Sequence, residues 1–211
     1  MSFYLTKIPD IVKPLASDLI WNLSPQTQTL YLTFDDGPVV GVTDWVLEIL
    51  DRYNAKATFF CVGENVERNP ELFEQIIKQG HSVANHSYNH LNGWKTSNFT
   101  YYRNVLKADE LIGSKLFRPP YGKITRQQVK SLKKKYKIIM WDVLSGDFDE
   151  NLKSESCIKN VIKASKSGSI IVFHDSEKSK SNLMETLPEI LRHYTVKGYS
   201  FKNIDQDEKF R

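Results

Sequence analysis

Apolar, β-favouring residues fall in short runs, separated by stretches in which apolar positions recur every three or four residues. The first pattern marks buried strands and the second amphipathic helices. Strands are expected over 30–34, 57–62, 81–85, 116–118, 137–142, 169–173 and 199–201. Helices are expected between them. One is opened by Thr43-Asp44 and carries Trp45, Val46, Ile49, Leu50 and Tyr53. Another starts at Pro70, with Leu72, Phe73, Ile76 and Ile77 on one face and Gly80 at its end. A third covers 99–114 with Tyr102, Val105, Leu106 and Leu111 inside, and three more cover 125–135, 154–165 and 183–194. Such alternation predicts an α/β fold with a mostly parallel sheet and helical crossovers, either a barrel or an open doubly wound sheet. Residues 1–28 read as an N-terminal extension with short helical pieces, packed on the domain by Phe3, Tyr4, Ile11, Leu15, Ile20 and Trp21. Residues 29–211 form one domain.

Composition narrows this picture mainly by exclusion. The chain has 211 residues, enough for one domain with a real core. Its net charge of +4 is mild and its basic residues are scattered, apart from Lys133-Lys134-Lys135 on a solvated helix face, so no nucleic-acid stripe is expected. No glycine-rich phosphate loop follows the first strand. Cys61 and Cys157 lie in separate apolar patterns and read as buried free thiols. No membrane span and no leader pattern is seen, so a cytoplasmic setting is expected.

Chemistry enters at the strand ends. Strand 30–34 delivers Asp35 and Asp36, and Gly37-Pro38 break the run. Adjacent carboxylates repel and lose hydration, which a cation, a donor or a catalytic task can offset; a polar capping turn is the alternative. His86 and His90 are four apart, one helical turn if that segment is helical. They are either solvated histidines or two ligands of one metal ion. With Asp36 as third ligand the set would leave positions for water and substrate, and Ser87 could orient a histidine or fix the loop. Zinc suits these ligands best; Co2+, Fe2+, Mn2+ and Ni2+ are not excluded. Asp35 is then free to act as general base. Arg118, before the rigid Pro119-Pro120-Tyr121-Gly122 turn, either holds that base or makes an ordinary salt bridge. Pro120 has no N–H, so Tyr121 supplies the candidate oxyanion amide. His174 is a structural histidine or a general acid oriented by Asp147, with Asp175 as second choice. His81 and His193 read as ordinary helix-end or surface residues. Trp94 and Tyr88 are either loop packing or a platform for a sugar ring.

In this order, Thr33-Phe34-Asp35-Asp36-Gly37-Pro38, His86-Ser87-Tyr88-Asn89-His90 and Arg118-Pro119-Pro120-Tyr121 resemble the first three motifs of the polysaccharide deacetylases of the NodB-homology type, carbohydrate esterase family 4. The resemblance runs from Leu30 to Phe201. It implies an irregular (β/α) barrel of about seven strands, Asp35 as base, and Asp36, His86 and His90 on the metal. It also implies that Arg118 holds the base and that the Tyr121 amide forms the oxyanion hole. The fourth motif, usually D-x-x-D-W, departs at Leu144 and Phe148 and retains Asp147; the fifth, usually L-x-H, has Val172 in place of leucine before His174. An acyl pocket walled by Phe148 and Val172 follows from the resemblance.

The expected function is metal-dependent removal of an N-acetyl or other short acyl group from an amino sugar or its oligomers. One alternative keeps the machinery and takes a small non-glycan amide. Another is a non-catalytic binding module, suggested by the altered fourth motif.

Overall fold

The computed structural model describes every residue except 1–4, 10, 12–13, 25–26, 208–209 and 211, and only the backbone of Leu15. The packing expected of Phe3, Tyr4 and the Leu15 side chain lies outside the described residues. The chain runs β1 (Leu19–Ile20), β2 (Thr29–Asp35), α1 (Thr43–Arg52), β3 (Ala57–Cys61), α2 (Gly63–Arg68), α3 (Pro70–Lys78), β4 (Ser82–Asn85), α4 (Asn98–Ile112) and β5 (Leu116–Phe117). It continues through α5 (Arg126–Leu132), β6 (Lys137–Ile139), β7 (Val143–Leu144), α6 (Ser154–Ala164), β8 (Ile170–His174), α7 (Lys180–Val196) and β9 (Ser200–Phe201).

The strands form one curled sheet in the order β1-β6-β5-β4-β3-β2-β8-β7, with β9 also on β2. Every ladder is parallel. This is the barrel-like α/β fold expected, but with nine strands among the described residues. The additional strands escape a periodicity reading because two residues carry no period: β1 lies inside the extension, and expected strand 137–142 stops after β6 and restarts as β7. The extension therefore joins the sheet. Thr6 to Ile8 run along the β7 edge, with Leu144 N–H bonded to Thr6 O at 2.9 Å and Ile8 N–H to Asp142 O at 3.2 Å, while β1 covers the edge of β6. Both open edges are blunted by one segment.

β2 is buried along its whole length. Alternate side chains point to opposite faces of a strand. Leu30, Leu32 and Phe34 pack outward against α1, α3 and α7, where Phe34 stacks on Phe59 at 5.0 Å and on Phe173 at 5.9 Å. Tyr31, Thr33 and Asp35 face the other way, towards the barrel interior. In α4 the buried stripe is Tyr101, Val105, Ala108 and Ile112. Leu106 and Leu111, expected inside, are exposed, as is Ile77 of α3. The small Ala108 selects that stripe: it lets α2 approach so closely that a Cβ on Gly63 would lie 3.1 Å from the Ala108 Cα. α2 was not expected, since Val66 is its only buried apolar residue and gives no period. Both cysteines are free and buried.

Register then decides where the chemistry goes. Asp35 pairs with His174 across β2 and β8, and Asn85 pairs with Phe117 across β4 and β5. His86 and Arg118 come next in their chains, so these groups gather at the carboxyl rim of the parallel sheet, where neighbouring strands lie about 4.8 Å apart.

Candidate active site

Arg118 is the largest fully buried side chain at this rim. Its Nη1 donates to Asp35 Oδ1 at 2.6 Å and to Thr33 Oγ1 at 2.8 Å. Its Nε and Nη2 donate to the carbonyls of Ile139 and Met140, where the chain breaks between β6 and β7, and its guanidinium lies 3.9 Å over the Phe60 ring. A buried ion pair survives only when the rest of the guanidinium is hydrogen-bonded, and here each of its three nitrogens donates to a partner. Asp35 is thereby fixed on one oxygen.

Asp36 turns away from it. Its backbone is left-handed, φ 86°, a conformation that costs a non-glycine residue about 1 kcal/mol or more. Bonds on both sides hold it there: Asp36 N–H to Phe60 O at 3.3 Å, and Asn65 Nδ2 to Asp36 O at 2.7 Å. Its carboxylate reaches the histidines. His90 Nε2 lies 3.1 Å and His86 Nε2 3.8 Å from Asp36 Oδ1.

The segment from His86 to His90 is a loop and not a helical turn. Ser87 (φ 65°) and His90 (φ 58°) are left-handed, and the loop is pinned by Asn85 Oδ1, which accepts from Ser87 N–H, and by Asn104 Oδ1, which accepts from Tyr88 N–H. The two rings still converge, with centroids 5.0 Å apart. Ser87 Oγ does not orient a histidine; it is buried and bonds to no described residue. His86 is oriented instead by the Arg118 carbonyl, 2.8 Å from Nδ1. A carbonyl only accepts, so Nδ1 carries the proton and Nε2 turns its lone pair towards Asp36. Burial, with His90 and Arg118 nearby, lowers the His86 pKa to about 4, so this ring is neutral at neutral pH. Burial alone would raise the Asp36 pKa, but the close approach of His90 and the charges of His174 and the other imidazoles outweigh it and hold the group well below the carboxylate range.

These three residues fit a divalent cation. Their ligand atoms all lie within 4.8 Å of one another, and Asp36 Oδ1 is buried with no aligned hydrogen-bond donor. One anionic oxygen and two imidazole nitrogens are the donor set expected for a zinc-like ion.

Across β2, His174 has a different partner. Its Nδ1 lies 2.8 Å from Asp147 Oδ1, and its backbone N–H donates to Asp147 Oδ2, also at 2.8 Å. The loop bearing Asp147 turns at left-handed Gly146 and is clamped by Asn182 of α7, whose Nδ2 donates to the carbonyls of Asp147, Asp149 and Leu152. Burial opposes charge on His174, but the Asp147 carboxylate and its hydrogen bond, with Asp36 and Asp35 beyond, raise the pKa to about 9. Asp175, the second choice as partner, points elsewhere: it bonds to Gly37 N–H and Thr43 Oγ1, and burial raises its pKa to about 8.

Around this centre, the Phe148 ring meets the His174 ring edge-on at 5.1 Å. Val172 is buried two residues before His174, on the same face of β8, and pairs with Leu144. Tyr121 is left-handed and exposed, with its ring 4.5 Å from that of His90. Trp94 is 65% exposed yet fixed, its Nε1 donating to Ile124 O at 3.1 Å. Tyr88 is no open platform: Lys107 Nζ sits 3.4 Å over its ring and Glu67 takes its hydroxyl. His81 is a buried histidine and not a surface one; Nδ1 accepts from Ala57 N–H, and burial lowers its pKa to about 4. His193 is partly exposed near the end of α7. Asn65 and Asn182 had no sequence signal, since each acts on residues remote along the chain.

Residues 22–137 match the family model described as polysaccharide deacetylase. A peptidoglycan-N-acetylglucosamine deacetylase of Bacillus cereus is 34% identical over 198 residues, covering 88% of this chain and 91% of that protein. The crystal structure of the Bc1960 peptidoglycan N-acetylglucosamine deacetylase superposes with a TM-score of 0.88 at 27% identity, covering 97% of this chain and 98% of that one. A carbohydrate esterase family 4 pseudoenzyme from Bacillus anthracis, BA3943, superposes with a TM-score of 0.77 at 25% identity, over 89% and 68% of the two chains.

Proposed function

We propose, from the premise that this chain belongs to the polysaccharide deacetylase family, that it is a metal-dependent hydrolase removing N-acetyl groups from an amino-sugar polymer. The substrate favoured is the N-acetylglucosamine of peptidoglycan, for which two of the relatives above are named. The observation that carries the reading is the Asp36–His86–His90 cluster beside a carboxylate held by buried Arg118. Asp36, His86 and His90 would hold the ion, with zinc the best fit to this donor set and Co2+, Fe2+, Mn2+ or Ni2+ as alternatives. When bound, the ion supplies Lewis acidity to the amide carbonyl and to water.

The chain's own residues do the rest. Asp35, held on one oxygen by Arg118, takes the proton from the attacking water with the other. The Tyr121 amide faces the developing oxyanion, an interaction worth about 10²–10³ in kcat at comparable sites. His174, kept protonated by Asp147, gives its proton to the departing nitrogen. Phe148 and Val172 wall the acyl methyl, and exposed Trp94 offers a face to a neighbouring sugar ring.

Metal analysis of the purified protein, coupled to acetate release from N-acetylglucosamine oligomers, peptidoglycan and small amides, tests this reading. Hydrolysis of small amides alone would favour a non-glycan substrate. Full turnover in metal-free protein would sink the mechanism. A second reading, a binding module, is favoured by Leu144 and Phe148 in the fourth motif and by the likeness to a pseudoenzyme; it requires a folded protein that hydrolyses none of these. Among the described residues no helix is long and apolar enough to cross a membrane. A cytoplasmic setting goes with a soluble amino-sugar substrate and an envelope setting with peptidoglycan, so fractionation of expressing cells separates the two.

A further inference from the structure

Asp175 is a buried carboxyl that the mechanism above leaves without a task. It follows His174 on β8, so the two side chains leave the strand on opposite sides. His174 faces the site; Asp175 faces the turn that follows the paired acids. There it grips the chain on both sides of Asp36. Its backbone N–H donates to Asp35 O at 3.0 Å, and its Oδ1 accepts from Gly37 N–H at 3.0 Å. Its Oδ2 accepts from Thr43 Oγ1 at 2.6 Å, and that hydroxyl accepts from Val39 N–H at 2.8 Å. The carboxyl lies so close that a Cβ on Gly37 would fall 2.0 Å from it. Glycine is required there by contact.

Asp36 stands between these anchors with a left-handed backbone. A strained conformation persists only where the surroundings over-determine it. Relaxation of Asp36 towards the ordinary β region would swing its carboxylate away from His86 and His90. We infer that Asp175 is a positioning residue that holds Asp36 in ligand geometry through the Gly37 amide. This rests on the reading of Asp36 as a metal ligand. It gives the end of β8 two tasks: His174 on one side and the brace of the metal half on the other.

The test uses metal binding, so it is independent of any substrate. Wild-type protein, Asp175→Ala, Asp175→Asn and Thr43→Val are stripped of metal and checked for native circular dichroism. Zinc affinity is then measured by chelator competition and the visible spectrum recorded at saturating Co2+. Removing an outer partner of a metal ligand typically weakens metal binding about 10- to 100-fold, and that loss is expected for Asp175→Ala, with shifted Co2+ bands. Asp175→Asn keeps an oxygen for Gly37 N–H and should recover most of the affinity and the native bands. Thr43→Val frees the carboxyl and should show a smaller loss in the same direction. Native affinity and native bands in folded Asp175→Ala would overturn the inference; if that variant does not fold, the same result in Thr43→Val would do so. A wild-type protein that takes up no metal would fail the proposed function itself, a separate outcome.

Discussion

His86 and His174 stand on opposite sides of β2 at the same rim, and both are largely shielded from solvent, with side chains 2% and 16% exposed. Burial pushes both towards the neutral form. They nevertheless end at opposite charge states, His86 with a pKa of about 4 and His174 of about 9. The difference lies in what each Nδ1 meets. For His86 it is the Arg118 carbonyl, a neutral acceptor that comes with a guanidinium close by. For His174 it is the Asp147 carboxylate. A carbonyl fixes the tautomer and leaves a lone pair for a cation; a carboxylate supplies the charge that keeps a proton on the ring. Under the proposed mechanism one residue type thus serves as ligand and as acid.

The most severe way to break this contrast is to remove the ligand side. Asp36→Ala, His86→Ala or His90→Ala should abolish metal uptake and acetate release together, read by metal analysis and a turnover assay. Removing the acid side should separate the two. His174→Ala should keep its metal and lose about 10²- to 10⁴-fold in kcat, the usual range for a proton-transfer group. A metal-depleted His174→Ala would show that the two halves are not independent.

A subtler change exchanges the partner and not the histidine. In Asp147→Asn the ring loses the charge that holds its proton, so the alkaline limb of kcat should move to lower pH. In metal-loaded enzyme that limb starts below 9 in the wild type, because a nearby cation adds like charge. The same pair governs the stability of metal-free protein. The folded pKa of about 9 exceeds the roughly 6.5 of free imidazole. Its stabilisation is therefore complete below about pH 6.5 and lost as pH rises through about 9. Melting temperatures across that window should fall in the wild type and fall less steeply in Asp147→Asn, where Asp175 still contributes. The smallest effect is expected at the pocket wall. Phe148→Trp should leave metal content and the pH profile unchanged and alter the preference for acetyl over propionyl, by the roughly 1–3 kcal/mol that a methylene is worth in an apolar pocket.

Much of the fold was legible because its long elements carry a period. β2, β3 and β8 are mostly apolar, β-favouring runs, and α1, α3 and α7 repeat every three or four residues. β1 and β7 were too short to register, and α4 shows that a period alone does not choose among rival faces: Leu106 and Leu111 lost to a stripe containing Ala108 because close contact with α2 rewards a small residue. In the site, chemical residue types at strand ends were visible, and so was the pairing of His86 with His90. Their shared helical face was not real; the left-handed Ser87 and His90 bring the rings together by another path. Tyr88 looked as available as Trp94 until its ring and hydroxyl were found engaged.

By itself the sequence determined which residues could act and that alternating elements would bring them to one end of a parallel sheet. It could not determine their charge states. Arg118 reaches Asp35 across 83 positions, and Asp147 reaches His174 across 27. Protonation depends on dehydration and on the nearest partner, and both are set by packing between segments far apart in the chain. Only the tertiary structure decided how the left-handed Asp36 is held towards the histidines, and that two buried imidazoles would carry different charges.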